Sequence, residues 1–123
     1  MRMHHFAIEV RDLETSAAFY QKYIGLQEES RFLFAGEKIV FLKDKDFRLE
    51  LISSSEQLTS TPSSAHLCFE VDSINVVNHH FNENGIFAIE GPYKLENGWE
   101  TVFYQGPDNE VIEFIQIGGK ADK

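Results

Sequence analysis

The feature that most constrains the fold of this chain is an order of secondary-structure signals that occurs twice. Residues 3–10 alternate between two sides with period two, which predicts a half-buried strand. Asp12 is a candidate N-cap, and apolar residues then recur at helical spacing until Gly25. Three short β-like runs follow, at 27–33, 38–42 and 47–52. Residues 3–52 therefore predict a βαβββ module.

The same order restarts after a connector rich in Ser and Thr, residues 53–64. Residues 65–71 predict a strand, Asp72 or Ser73 can cap a helix, and Asn84-Gly85 can end it. Three further strands are predicted at 87–90, 101–104 and 111–117, the last one after a Gly-Pro-Asp-Asn turn. The sequence therefore predicts an α+β fold, with a second βαβββ module at 65–117 and a weak internal duplication.

Length and charge limit the classes of function. A chain of 123 residues is long enough for one domain with a real core, and too short for separate cofactor and substrate domains. The formal charge of −9 argues against nucleic acid and anionic membranes as partners. No apolar run approaches the roughly 20 residues that span a bilayer, and the first residues turn acidic early. With a single cysteine, Cys68, the expectation is a cytoplasmic protein without an intrachain disulfide.

Four residues occupy matching places in the two modules: His5 and Glu50 in the first, His66 and Glu113 in the second. The separations within the pairs are 45 and 47 residues, which unrelated surface residues have no reason to repeat. Alternation along the strands places His5, Glu50 and His66 opposite the apolar side chains. Glu113 is ambiguous, because the strand is apolar on both sides, and it is expected between apolar neighbours on a buried face.

Imidazole nitrogens together with carboxylate oxygens suit one divalent Zn, Fe, Ni, Co or Mn ion better than Ca or Mg. The four residues therefore predict a metal centre, and a buried carboxylate such as Glu113 would need a cation as its partner. The alternative is that these are ordinary strand histidines and exposed glutamates. Three other residues or pairs are set aside: His4, whose parity is opposite to that of His5, is expected on the helix side or at the rim, His79-His80 on a solvated helix face, and Cys68 as a buried small hydrophobe.

These residues resemble the vicinal oxygen chelate superfamily, the glyoxalase and bleomycin-resistance-like fold. The resemblance runs from Met3 to Ile117 and rests on five segments: HHFAIEVRDLETSAAFY, the Gly25-Leu26 pair, RLELI, HLCFEV and GPDNEVIEFIQ. It implies two βαβββ modules that form a cupped mixed sheet, with His5, Glu50, His66 and Glu113 as metal ligands. The complete set of four resembles that of glyoxalase I and methylmalonyl-CoA epimerase more than the two His and one Glu of extradiol dioxygenases.

The resemblance also implies a chemistry. The metal would stabilise the enediolate formed when a proton leaves the carbon beside a bound carbonyl or hydroxyl. Glu113 is then the first candidate for the base and Glu50 its counterpart. Proton return to the neighbouring carbon gives isomerisation, and return to the same carbon gives epimerisation; the sequence does not choose. The predicted function is a metal-dependent lyase or isomerase of the glyoxalase I type, acting on a small carbonyl compound or its thiol adduct.

The substrate pocket is less defined. Glu9 stands where glutathione-using members carry Arg, which argues against glutathione. Arg48 is expected on the same side as Glu50, either to bind an anionic substrate group or to neutralise Glu9 or Glu50. Five aromatic residues are candidates for pocket walls, with core packing as the default for most: Phe32, Phe34, Phe87, Trp99 and Phe103.

Two other functions stay open. One is an Fe(II) dioxygenase that uses His5, His66 and Glu113; the other is a binder that sequesters an aromatic or cationic drug. The resemblance also implies a homodimer, and the two modules can pair within a chain or swap between subunits.

Overall fold

The structure of the protein is a computed structural model that describes residues 2–53 and 65–118. The chain divides into two compact units, residues 1–62 and 63–123. The predicted connector, 53–64, lies outside the described residues except for Ser53, which is the last residue of a strand. None of the helices in the described ranges is long and apolar enough to cross a membrane.

The first unit contains a helix and a mixed four-stranded sheet. Its elements are β1 (Phe6–Glu9), α1 (Leu13–Phe19) continued by a π-helical turn (Tyr20–Ile24), β2 (Gln27–Phe34), β3 (Glu37–Lys43) and β4 (Arg48–Ser53). The strand order is β1-β4-β3-β2, with β1 parallel to β4 and the other pairs antiparallel. The predicted βαβββ order is therefore present, and the first strand is shorter than the predicted 3–10.

Local sequence accounts for the ends of this helix. The Asp12 carboxylate accepts a hydrogen bond from the Thr15 backbone N–H at 3.0 Å, which satisfies one of the unpaired donors of the first turn. At the other end Gly25 has φ +86°, a left-handed conformation that glycine adopts without a steric penalty.

The second unit repeats the arrangement. Its elements are β5 (His66–Glu70), α2 (Ile74–Glu83), β6 (Glu90–Lys94), β7 (Glu100–Gln105) and β8 (Val111–Gln116). The strand order is β5-β8-β7-β6, with β5 parallel to β8. Of the two predicted caps, Ser73 is the one used, and its hydroxyl accepts from Val76 N–H at 3.2 Å.

One predicted strand is displaced. The run 87–90 was expected to be a strand, whereas β6 begins only at Glu90 and continues through Gly91-Pro92. Because Gly and Pro usually interrupt strands, the sequence pattern ended the predicted strand at residue 90, before Gly91-Pro92. Here β6 pairs with β7 across an irregularity between Glu90 and Tyr93. Gly91 has φ +84°, and a Cβ there would lie 2.9 Å from the Thr101 carbonyl oxygen, so glycine allows the close approach.

Each helix packs on one face of the sheet of its own unit. In the first unit Leu13 and Ala17 are buried together with Val40, Leu49 and Leu51. In the second unit the core is aromatic: the Phe81 ring of α2 lies 4.4 Å from the Tyr104 ring and 5.4 Å from the Phe114 ring, centroid to centroid. The opposite sheet faces carry the candidate ligands.

Candidate functional site

In the first unit, His5 and Glu50 form a direct contact. Strand β1 runs parallel to β4 with Ala7 opposite Glu50, and His5 lies directly before β1. His5 Nε2 lies 3.0 Å from Glu50 Oε1, and the Glu50 side chain is only 13% exposed. The His5 ring also meets the ring of Phe41 edge to face, and Phe41 on β3 is opposite Glu50 on β4. An imidazole nitrogen and a carboxylate oxygen therefore lie together.

The His4 ring lies beside the His5 ring, so its opposite parity along the chain does not put it on the helix side. The two Nδ1 atoms are 2.9 Å apart, and the rings meet edge to face. Alternation does not apply here, because both residues precede β1. One of the two Nδ1 atoms must carry the proton of this hydrogen bond, so His4 influences which nitrogen of His5 is free to bind another group.

The second unit contains the equivalent pair. His66 begins β5, which runs parallel to β8 with Cys68 opposite Glu113. His66 Nε2 lies 2.8 Å from Glu113 Oε1. The second carboxylate oxygen of Glu113, Oε2, accepts a short hydrogen bond from the Thr101 hydroxyl on β7. Both oxygens of Glu113 are therefore held by side chains of this unit.

The structure settles which face of β8 carries Glu113. Ile112, Phe114 and Gln116 are buried on the side of α2, and Gln116 Oε1 accepts from the Ile74 backbone N–H at 2.8 Å. Glu113 lies on the other face, between Val111 and Ile115, which are half-buried. The apolar neighbours expected for Glu113 are thus present, but Glu113 lies on the half-buried face of β8 and not on the fully buried one. Its side chain is nevertheless only 14% exposed.

Cys68 is exposed, so the prediction of a buried small hydrophobe is wrong. Partial desolvation and the nearby Glu113 carboxylate raise the pKa of the thiol to about 11. With this pKa the thiol is neutral at physiological pH. Because only the thiolate is strongly nucleophilic, Cys68 is a weak nucleophile.

Arg48 has a different partner from either one expected. Its guanidinium donates to both carboxylate oxygens of Glu29, at 2.8 and 3.2 Å, instead of neutralising Glu9 or Glu50. This hydrogen bonding raises the pKa of Arg48 and lowers that of Glu29. The pairing of β2 with β3 shifts between Glu28 and Ser30, and this irregularity at Glu29 is not visible in the sequence pattern.

The two residues proposed for substrate binding lie in open depressions of the first unit. Glu9 is exposed and lines a depression of about 300 Å³ with Ala7, Ile8, Glu37 and Ile52. Arg48 lines a larger one of about 1030 Å³, with residues that include His4, Lys43 and Phe47. Both depressions are open to solvent, so a small molecule has access to either residue.

The five aromatic candidates are not core residues. Phe32, Phe34, Phe87 and Trp99 are exposed, and Phe103 is half-buried with its ring centroid 6.1 Å from that of His66. Core packing, the default expectation, is therefore wrong for them. The exposed aromatic rings offer apolar surface for contact with other molecules.

Within residues 2–53 and 65–118, no group of three or more His, Cys, Asp or Glu side chains is placed so that it could hold a metal ion. Each unit supplies two donors of the kind that zinc-like ions bind, one imidazole nitrogen and one carboxylate oxygen. The pairs thus fit such an ion in donor chemistry. Sequence reasoning set His4 aside and missed Thr101, although the hairpin of β7 and β8 would have placed Thr101 near Glu113.

Comparison with known proteins identifies the family. The model of the Glyoxalase/Bleomycin resistance protein/Dioxygenase superfamily matches residues 2–114. The chain therefore belongs to this superfamily, as its sequence motifs indicated. It is 30% identical over 122 residues to the uncharacterized protein YwbC of Bacillus subtilis, covering 94% of this chain and 97% of YwbC. It is 27% identical over 117 residues to human mitochondrial methylmalonyl-CoA epimerase, covering 86% of this chain and 66% of that protein.

Solved structures share the fold. A glyoxalase family protein from Enterococcus faecalis has a TM-score of 0.79 at 23% identity, covering 93% of this chain and 96% of that one. Lactoylglutathione lyase from Agrobacterium tumefaciens has a TM-score of 0.74 at 22% identity, covering 94% and 92%. TnmS3, an antibiotic-binding protein from Streptomyces sp. CB03234, has a TM-score of 0.80 at 20% identity, covering 96% and 97%. The α+β fold of two βαβββ modules is confirmed.

Proposed function

We propose that this protein is a metal-dependent lyase or isomerase of the glyoxalase I type, acting on a small carbonyl compound or its thiol adduct. We propose His5, Glu50, His66 and Glu113 as the ligands of one divalent Zn, Ni, Co, Mn or Fe ion. The observation that carries the proposal is the pair in each unit: an imidazole nitrogen lies 3.0 Å from a carboxylate oxygen in the first and 2.8 Å in the second. Glu50 and Glu113 lie on the equivalent strands β4 and β8, and the histidines lie where the partner strands start: His5 directly before β1, and His66 as the first residue of β5.

The donor set suits the chemistry. A bound divalent ion supplies a Lewis acid that polarises a carbonyl or hydroxyl oxygen and so acidifies the adjacent C–H bond. Glu113 is the residue that accepts the proton, and Glu50 is its counterpart in the other unit. If Glu113 returns the proton to the neighbouring carbon, the product is an isomer; if it returns to the same carbon from the other face, the product is an epimer.

The first-unit histidines support ligand binding at His5. A metal binds the unprotonated nitrogen of a neutral imidazole. When Nε2 of His5 is unprotonated, Nδ1 carries the proton and has an acceptor ready in His4 Nδ1, 2.9 Å away. Such an outer hydrogen bond is the usual support of a metal-binding histidine.

Relatives support the reaction class, while their names give two different substrates, methylmalonyl-CoA and lactoylglutathione. One relative is named an epimerase and one structural neighbour a lyase. We propose that Glu9 and Arg48 face the substrate. The exposed Glu9 carboxylate repels the carboxylates of glutathione, which favours another thiol or a free carbonyl compound. Arg48 is paired with Glu29, so it can bind an anionic substrate group only if it releases Glu29.

The test is metal content together with activity. The purified protein is stripped, reloaded separately with Zn, Ni, Co, Mn or Fe, and assayed with methylglyoxal alone and with several thiols. We expect one ion per chain and activity that depends on it. His66→Ala should lose both, whereas His79→Ala should keep both, because His79 is an exposed histidine of α2. A protein that refuses every metal, or turnover that survives His66→Ala, would show the proposal to be wrong.

A second candidate is a binding protein without turnover. TnmS3 shares the fold and binds an antibiotic, and the exposed aromatic residues Phe32, Phe34, Phe87 and Trp99 offer surface for a flat apolar ligand. Tight binding of an aromatic compound to metal-free protein, with no activity on any carbonyl substrate, would favour this function. The dioxygenase alternative is checked in the same preparations by oxygen uptake with catechols. A homodimer in the cytoplasm stays a prediction.

A further inference from the structure

We propose that Thr101 is a positioning residue that fixes the carboxylate of Glu113 and sets it apart from Glu50. This inference rests on the proposed function, because it concerns how one carboxylate of the proposed metal centre is held. The hydroxyl of Thr101 belongs to β7, which pairs with the strand that carries Glu113.

The geometry around Thr101 determines where its proton goes. The residue is buried, with 2% of its surface exposed. Its Oγ1 lies within hydrogen-bond distance of Glu113 Oε2 and 3.1 Å from the Phe114 carbonyl oxygen. A hydroxyl has one proton to donate, and a charged carboxylate is the stronger acceptor. Thr101 therefore donates to Glu113.

As a result, Glu113 is held at both ends. His66 contacts Oε1 and Thr101 contacts Oε2, while the side chain as a whole is nearly buried. Two contacts on opposite oxygens define the rotation of a carboxylate plane, which one contact does not. The geometry thus presents the lone pairs of Glu113 in a fixed direction before any ligand arrives.

Glu50 has no equivalent of this hydroxyl. On β3 and β4, Phe41 is opposite Glu50 and Ile39 is opposite Ile52. On β7 and β8, Phe103 is opposite Glu113 and Thr101 is opposite Ile115. Ile39 therefore occupies the position that corresponds to Thr101, and an isoleucine has no hydrogen bond to offer. The two carboxylates share a histidine contact and differ in this hydroxyl and in the Cys68 thiol, which lies beside Glu113 where Ala7 lies beside Glu50.

The size of the effect follows from comparable outer contacts in metal sites. Removing a side chain that orients a ligand usually lowers metal affinity or activity by about 10- to 100-fold. We expect a loss of this size when Glu113 stays in place as a ligand and loses only its fixed orientation.

The experiment compares Thr101→Val, which keeps the shape and removes the hydroxyl, with Thr101→Ser, which keeps the hydroxyl. Cobalt(II) is titrated into stripped protein, and its visible absorption reports affinity and ligand geometry. Turnover is then measured with the substrate found for the wild type. We expect Thr101→Val to weaken cobalt binding by about 10- to 100-fold, alter the spectrum and lower kcat more than it changes KM. Thr101→Ser should restore most of each property, and Ile39→Val should leave them unchanged.

The outcomes separate the two proposals. Wild-type protein that binds no cobalt overturns the metal centre, and the role of Thr101 with it. Wild-type protein that binds cobalt through the four ligands, while Thr101→Val has the same affinity, spectrum and kcat, overturns only the role of Thr101. If Thr101→Val does not fold, Thr101→Ala gives the same contrast with Thr101→Ser.

Discussion

The two units share one architecture but differ around their carboxylates. Glu50 contacts Nε2 of His5, and His4 contacts Nδ1 of the same ring. Glu113 contacts His66 and Thr101, and the Cys68 thiol interacts with its carboxylate. The first unit therefore supports its histidine, whereas the second supports its glutamate. Equivalent positions in a repeat therefore need not carry equivalent roles.

The cores differ as well. The first unit packs mainly aliphatic side chains, such as Leu49 and Leu51, against its helix. In the second, Phe81, Tyr104 and Phe114 form a cluster of three aromatic rings. Aromatic rings bury more surface per residue, so single truncations should be more costly there.

The strongest predicted loss of activity distinguishes the carboxylate of Glu113 from that of Glu50. Glu113→Gln should lower kcat by about 10²- to 10⁴-fold with metal content retained, because the amide does not accept the proton. Glu50→Gln should lower kcat less, since Glu50 is the counterpart and not the base. Steady-state kinetics together with elemental analysis of both variants provide the measurement. A larger loss in Glu50→Gln than in Glu113→Gln would exchange the two roles.

The second effect tests the cores. Phe81→Ala should lower the free energy of unfolding by about 3–5 kcal/mol, because it opens a cavity in the aromatic cluster. Leu13→Ala, at the start of the other helix, should cost about 2 kcal/mol, near the lower end for a leucine. Urea denaturation of both variants at one pH measures the difference. Equal costs would mean that the aromatic core is no more sensitive than the aliphatic one.

The third effect concerns a single hydroxyl of the second core. Tyr104 donates to Asn78 Oδ1 at 2.6 Å, so Tyr104→Phe should cost about 1 kcal/mol at pH 7. Burial raises the pKa of Tyr104 to about 12, above the ordinary value of 10. The neutral phenol is thus favoured by folding, and its contribution is complete below pH 10 and lost as the pH rises towards 12.

Thermal unfolding across this pH range should therefore show a steeper loss of stability in the wild type than in Tyr104→Phe. Parallel curves for the two proteins would contradict a buried, neutral phenol.

The smallest effect compares the helix caps. Ser73→Ala should cost about 1 kcal/mol at every pH, because a hydroxyl does not titrate in this range. Asp12→Ala should also destabilise at neutral pH, but its effect depends on charge. The Thr15 backbone N–H lowers the pKa of Asp12 below its ordinary value of 3.8, so the contribution is present above that pH and lost as the pH falls through the folded pKa.

Melting temperatures at pH 7 and pH 3 distinguish the caps. The difference between the wild type and Asp12→Ala should shrink at the lower pH, and that of Ser73→Ala should not. An Asp12→Ala effect that is the same at both values would mean that the carboxylate contributes no charge.

Much of the fold was predictable from local patterns. Asp12 and Ser73 begin the helices, and Gly25 follows the first one, because caps and left-handed turns depend on neighbouring residues. The strand at 87–90 was misplaced because β6 runs through Gly91-Pro92. The pairs His5 with Glu50 and His66 with Glu113 were also predictable, since both follow from strand periodicity in a repeated order.

Local patterns in the chain were enough to predict the order of the elements, the family and the two pairs of histidine and glutamate, because those properties depend on periodicity and on short motifs. Three contacts required the folded molecule: Glu113 lies away from the face of α2, Arg48 binds Glu29, and Thr101 holds Glu113. These contacts depend on strand register and on an irregularity in β2, which are set by pairing between distant residues. A pattern along one strand carries no information about the register of its neighbour.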